Sequence, residues 1–235
     1  MASATVIHQA IALQWPTPEI LGRPRTLVLG SFNPHDETCE GLDYYYGRST
    51  NYFWKCLAER TGRQSSYFFV QRPAKLELMR DRFCCMDVID QIEFNCDHEA
   101  TLTKFLREKI FNDFADRDIW ITRTRFENGN DQHIIQLRRT YNQHIIEYLK
   151  TTDSVKTVIH TMSDRIVSPR SIEPLEKKLG PKGFSGYMNS LINICNQRGI
   201  HFAYDSFSPS QAAVNRKSPP REQLSDWLHH HLLQV

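Results

Sequence analysis

The strongest constraint on this chain is the recurrence of short, apolar, β-branched runs separated by stretches of helical spacing. Thr26-Leu-Val-Leu-Gly-Ser31 has the pattern of a buried strand and ends in Gly30, followed by Asn33-Pro34, so a strand delivers a loop from its carboxyl end. Asp118-Ile-Trp-Ile-Thr122, Lys156-Thr-Val-Ile-His160 and His201-Phe-Ala-Tyr204 repeat the pattern. Between these runs, Asn51 to Arg60 places Phe53, Trp54, Leu57 and Ala58 at helical spacing and stops at Thr61-Gly62. Ile134, Tyr141, Ile145 and Leu149 predict one face of a long helix before Lys156, and Leu191, Ile194 and Cys195 predict another before His201. Leu224, Trp227, Leu228 and Leu232 predict a closing helix behind Pro219-Pro220. Strands alternating with helices predict a three-layer α/β/α domain with a central, mostly parallel four-stranded sheet, its ligands bound outside the carboxyl ends of the strands. The least regular stretches, 63–100 and 163–187, are expected to be insertions in a single domain spanning 1–235.

Composition narrows the class. The 235 residues are 40% hydrophobic, which excludes disordered and collagen-like chains, and the length suits one core. No run of about 18 apolar residues occurs, and the N-terminus lacks the order of a signal peptide. The expectation is a monomer in the cytoplasm or at the nucleoid, neither secreted nor in a membrane. Six cysteines (Cys39, Cys56, Cys84, Cys85, Cys96 and Cys195) form no CxxC pair, so free thiols and no structural zinc are expected. Net charge is only +2, but it is unevenly spread. Residues 77–118 carry 11 acids against 6 bases, whereas 206–221 carry Arg216, Lys217 and Arg221 with no acid, so a nucleic-acid face is expected toward the C-terminal third.

Two polar loops at strand ends, Gly30-Ser-Phe-Asn-Pro-His35 and Asp205-Ser-Phe-Ser-Pro-Ser-Gln-Ala-Ala213, would empty into one crevice of such a sheet despite their separation in sequence. Between the first loop and its helix lies an aromatic block, Gly41-Leu-Asp-Tyr-Tyr-Tyr-Gly-Arg-Ser-Thr-Asn-Tyr-Phe-Trp54, able to sandwich a flat ring. LVLGSFNPH, DYYYGRSTNYFWKCL and SFSPSQAA, in that order, resemble the uracil-DNA glycosylase superfamily. The nearest pattern is that of the mismatch-specific uracil and thymine glycosylases, with some likeness to the hypoxanthine branch. Ser31-Phe-Asn-Pro-His35 stands for that family's first loop, Tyr46 to Trp54 for its aromatic stretch, and Phe207-Ser-Pro-Ser-Gln211 for its late loop. Two departures bear on base specificity: His35 replaces a glycine, and Ser208 stands where relatives have Asn or His. The cysteine spacing fits no iron–sulfur pattern.

The resemblance implies a monofunctional DNA glycosylase that hydrolyses the bond between deoxyribose and a flipped-out deaminated, mismatched or modified base, with DNA as partner and with no cofactor or metal. Such cleavage builds positive charge on the sugar and negative charge on the departing base, so it requires a positioned water on one side and donors on the other. Asn33 would orient the water, with Ser208 or Asn51 assisting in catalysis. Phe32, Tyr45, Tyr46 and Ser210 would hold the base, while Gln211 and Val214 would fill the gap it leaves and Arg216 and Lys217 would meet phosphates. Two alternatives stand beside this: a defence glycosylase removing bulky modified cytosines from phage DNA, and a glycosylase-fold module that binds nucleic acid without catalysis. Plainer roles compete residue by residue. Asn51 is an equally good helix cap, Phe53 and Trp54 fit the core, His229-His-His231 fits a solvated helix end, and Met86-Asp-Val-Ile-Asp90 reads as a structural segment beside the pocket.

Overall fold

The computed structural model describes residues 1–35, 42–108, 122–162, 167, 183–217 and 220–234. Its strands in chain order are β1 (Ala2–Ile7), β2 (Thr26–Gly30), β3 (Phe83–Asp87), β4 (Ile89–Cys96), β5 (Arg123–Asn128), β6 (Asp131–Tyr141), β7 (Thr157–His160) and β8 (His201–Phe202). The helices are α1 (Gln9–Ala12), α2 (Phe53–Arg60), α3 (Arg72–Met79), α4 (Glu99–Arg107), α5 (Gln143–Thr151), α6 (Phe184–Arg198), α7 (Gln211–Asn215) and α8 (Arg221–Leu232).

The expected parallel sheet is present, with order β3-β2-β7-β8. All five residues of β2 are buried, as a strand covered on both faces requires. Side chains of β3 alternate between two helical layers. Phe83 meets Phe53 and Trp54 of α2, with ring centroids 6.2 and 6.3 Å apart, whereas the neighbouring Cys84 meets Tyr148 of α5. Thr26, paired with Phe83 and so on the same face, bonds the carbonyl of His231 in α8. Helices α2 and α8 therefore cover one face and α5 the other, giving three layers. Burial pushes the Cys84 thiol well above its ordinary range and Cys195 up to about 12, which keeps both as inert core thiols.

The structure corrects three expectations. The stretch 63–100 is not irregular: it holds α3, the edge strand β3 and β4. The helix expected around Ile134 is confined to α5, because 131–141 forms strand β6 with Ile135 and Leu137 buried at alternate positions and Ile134 52% exposed. A second, antiparallel sheet of order β1-β4-β6-β5 was not anticipated at all. Its inner face packs on α4 through Phe94, Phe105 and Phe126. Only Val88 separates β3 from β4, so the chain steps directly from one sheet into the other. The strand expected at Asp118–Thr122 and most of 163–187 lie outside the described residues, except that Thr122, Val167 and 183–187 are described.

Candidate functional site

The site forms where β2, β3, β7 and β8 end. Gly30, the last residue of β2, is paired with Asp87, the last of β3. Leu29 is paired with His160, which puts Thr161 beside Gly30 on the other side. The missing side chain at Gly30 is a requirement: a Cβ there would fall 2.1 Å from Asp87 Oδ1 and 3.0 Å from the Tyr46 hydroxyl. Tyr46 stacks on Phe53 at 4.4 Å, and its hydroxyl lies 3.0 Å from Thr161 Oγ1. The Tyr46 backbone is left-handed, with φ of 57°, a conformation costing a bulky residue on the order of 1 kcal/mol and sustained here by these contacts.

Three loops separated in sequence are stitched together around these strand ends. In the first, Asn33 is half-buried, its carbonyl accepts from the Gln9 N–H at 2.8 Å, and its Oδ1 accepts from Arg48 Nη2 at 3.3 Å. Arginine can only donate, so this contact assigns the amide orientation and leaves one lone pair of Oδ1 for another donor. The second loop, 42–52, is anchored from below by the wholly buried Lys75, which pairs with Asp43 and lies 5.4 Å from the Trp54 ring. Arg72 Nε donates to the Asp43 carbonyl at 2.6 Å, and burial holds the Lys75 ammonium below its ordinary pKa. The same loop is joined to the third by a bridge between Asn51 and Ser210 and by the Tyr52 N–H donating to the Pro209 carbonyl at 2.8 Å. Ser206 closes the ring by donating to the Met162 carbonyl at 2.6 Å.

The expected site residues divide accordingly. Asn33, Tyr46, Asn51, Ser208 and Ser210 are half-buried members of this ring, and Phe32 is half-buried against the His8 ring at 5.8 Å. Among the described residues nothing bonds Asn33 directly to Ser208; the second loop connects them. Asn51, one residue before the cap position held by Tyr52, accepts through Oδ1 from the N–H of Phe53, the first residue of α2, at 2.9 Å and so satisfies one of that helix's open donors. Ser210 caps α7 through the Ala213 N–H, and Ser208 donates to Ser210 at 3.1 Å. Two expectations are corrected. Tyr45 is 9% exposed, directed into an aromatic cluster with Trp15, Tyr44 and His8 instead of toward a base, and burial and the Asp87 charge keep its phenol protonated. Val214 is 8% exposed and packs in the core, so it cannot fill a gap in DNA. Gln211, Arg216 and Lys217 are exposed, whereas Arg221 is occupied by Glu59 and lies 5.2 Å from the Tyr52 ring.

Sequence reasoning passed over Arg48 and His8, and read Asp87 only as part of the structural segment 86–90. His8 Nδ1 accepts from the Ala10 N–H at 2.9 Å and Nε2 lies 2.7 Å from Asp87 Oδ2. Arg48 sits inside the aromatic block and was open to notice there; His8 lies in an N-terminal segment whose only signal is tertiary. Among the described residues no group of three or more His, Cys, Asp or Glu is placed to hold a metal ion, and no helix is long and apolar enough to cross a membrane. Compared with family models, curated proteins and solved structures, the chain matches none.

Proposed function

We propose that this protein is a monofunctional DNA glycosylase, hydrolysing the bond between deoxyribose and an extruded base. The observation that carries the reading is the convergence of Asn33, the Tyr46–Asn51 segment and the Ser208–Ser210 segment around the carboxyl ends of a parallel sheet, tied by the Arg48–Asn33 and Tyr52–Pro209 contacts. In an open α/β sheet that is where ligands bind.

In this reading Asn33 Oδ1, held by Arg48, accepts a hydrogen from the attacking water and sets it against the sugar carbon. No strong nucleophile is required, because the bond to the base is largely broken before attack and the gain comes from placement and charge stabilisation. Arg48 carries positive charge beside the site, where the departing base and a neighbouring phosphate are both negative. Tyr46 and Phe32 offer ring faces or edges to the base. Exposed Arg216 and Lys217 follow the third loop, as backbone contacts would need. The test is incubation with duplex and single-stranded DNAs carrying uracil, mismatched thymine, hypoxanthine and modified cytosines, with released bases scored by mass spectrometry. Release of a free base with an intact abasic strand is the expected result; strand scission without base release, or no release from any substrate, overturns it.

A further inference from the structure

Asp87 presents a buried carboxylate whose two oxygens have different fates. The His8 ring settles the first. Its Nδ1 is already an acceptor for the Ala10 N–H, so the ring proton is on Nε2 and is donated to Asp87 Oδ2 at 2.7 Å. The His8 side chain is 3% exposed and the Asp87 side chain 10%. Oδ1 has no hydrogen-bond partner among the described residues and lies over Gly30, at the strand ends, near the Tyr46 hydroxyl. The Asp87 side chain is largely buried, yet Oδ1 is not among the buried atoms that lack a partner, so it keeps some exposure and can accept an N–H or O–H from a ligand at the strand ends. The backbone around it is fixed: the Val88 N–H donates to the Gly30 carbonyl at 3.0 Å and the His8 N–H to the Asp90 carbonyl at 2.7 Å. His8 thus locks the rotation of the carboxylate, and Gly30 leaves the room that Oδ1 needs.

The geometry points to Asp87 Oδ1 as the group that reads the base, selecting a pyrimidine with an amino group at C4, the edge of cytosine, over one with a carbonyl there. This rests on the glycosylase reading of the site. An ionised carboxylate only accepts, so it pairs with the exocyclic amine of a cytosine-type base. Uracil or thymine turned the same way would set a carbonyl oxygen against the carboxylate, leaving both acceptors without a proton between them. The hydroxyls of Tyr46 and Thr161 can donate or accept and so tolerate either edge; Asp87 alone imposes the sign.

The experiment uses pairs of oligonucleotides that differ only at C4 of one base: cytosine against uracil, and 5-hydroxymethylcytosine against 5-hydroxymethyluracil. The wild-type protein is expected to favour the amino member of the better-cleaved pair by about 10- to 100-fold in kcat/KM, the range for a hydrogen bond to a charged group. Asp87→Asn is close to isosteric: its amide oxygen can keep the His8 bond while its NH2 replaces Oδ1 with donors, so the preference should collapse or reverse. Equal rates within each pair, or a variant that slows both members alike with an unchanged melting temperature, overturns the inference. A second readout is independent of turnover: free cytosine, but not free uracil, should raise the melting temperature of the wild-type protein, and Asp87→Asn should abolish that difference. Cytosine binding without any base release would refute the glycosylase reading and leave the base-reading role standing. Absence of both, or a shift by uracil equal to that by cytosine, refutes the role of Asp87. Should Asp87→Asn fail to fold, His8→Gln, which frees the rotation of the carboxylate, must weaken the same discrimination.

Discussion

Asn33 and Asn51 carry the same side chain a short distance apart in sequence, yet their surroundings assign them different work. Asn33 Oδ1 is held by an exposed arginine beside the crevice, whereas Asn51 Oδ1 accepts from the Phe53 backbone N–H at the start of α2. Asn33→Ala is therefore expected to lower base release by about 10²-fold or more while leaving DNA affinity nearly unchanged, as for loss of a group that acts in the transition state. Turnover and equilibrium binding measured on one substrate check both halves. Near-normal turnover would shift the water-positioning role to Asn51. For Asn51→Ala the expected loss is about 1 kcal/mol of stability, the worth of a helix cap, with most of it restored in Asn51→Asp. Denaturant unfolding of the two variants decides that point. The capping role was legible from the residue type and its place before a helical run; the Arg48 contact was not, since nothing local tells an arginine which loop it will meet.

At the scale of elements, the loop 42–52 holds its shape because it is fastened to α3. Removing the carboxylate in Asp43→Ala strands the Lys75 ammonium in the core and is expected to cost about 3–5 kcal/mol. Lys75→Met, which removes the buried charge and keeps the apolar stem, should cost clearly less. Chemical denaturation of both variants gives the comparison, and equal losses would contradict it. The sign of the pH effect follows from the depressed Lys75 value. In the window between that folded value and the ordinary 10.5, the unfolded chain binds more protons, so this group's contribution makes stability rise with pH there, and Lys75→Met should lose that rise. The element that sequence reasoning misassigned, 131–141, has a physical lesson of its own. Asn128-Gly129-Asn130-Asp131 joins β5 and β6 through a two-residue turn in which Gly129 has φ of 70°. Gly129-Asn130, a two-residue Gly-Asn loop between two strand runs, is a hairpin signal, and the alternation of Ile135 and Leu137 agrees with it. Ile134 and Tyr141 are a helical interval apart, and that coincidence masks the strand period.

For the whole molecule, the proposed glycosylase function raises the question of which surface would face DNA. The excess of basic residues after the third loop survives folding only in part, because Arg221 is drawn to Glu59 and Tyr52. Arg216 and Lys217 remain exposed. Replacing both with alanine is expected to weaken binding to all sequences alike and to reduce the slope of log K against log salt by roughly one unit per lost phosphate contact. Fluorescence titrations at several salt concentrations test this; a changed base preference with an unchanged slope would show that these residues read bases instead.

Local signals determined the parallel sheet through three of its strands. The run at Thr26 is buried throughout and Val158, Ile159 and His160 of the next are buried too, because helices cover both faces, and a doubly buried strand announces itself by composition alone; the run at His201 is a two-residue edge strand with only Phe202 buried. The position of Asn33 beyond the first strand followed from the same signal. Only the tertiary structure decided that Phe83–Asp87 is the fourth described strand, that a second sheet stands beside the first, and that Tyr45 and Val214 turn inward while Asp87 turns toward the crevice. Those outcomes depend on partners far away in the chain: β1 places His8 against Asp87, 79 residues on, and a mixed polar and apolar run such as Phe-Cys-Cys-Met-Asp becomes a strand because β2 offers it an edge. A carboxylate at such a strand end gains its meaning from the glycine beside it and the imidazole that fixes it, and neither neighbour is adjacent in sequence.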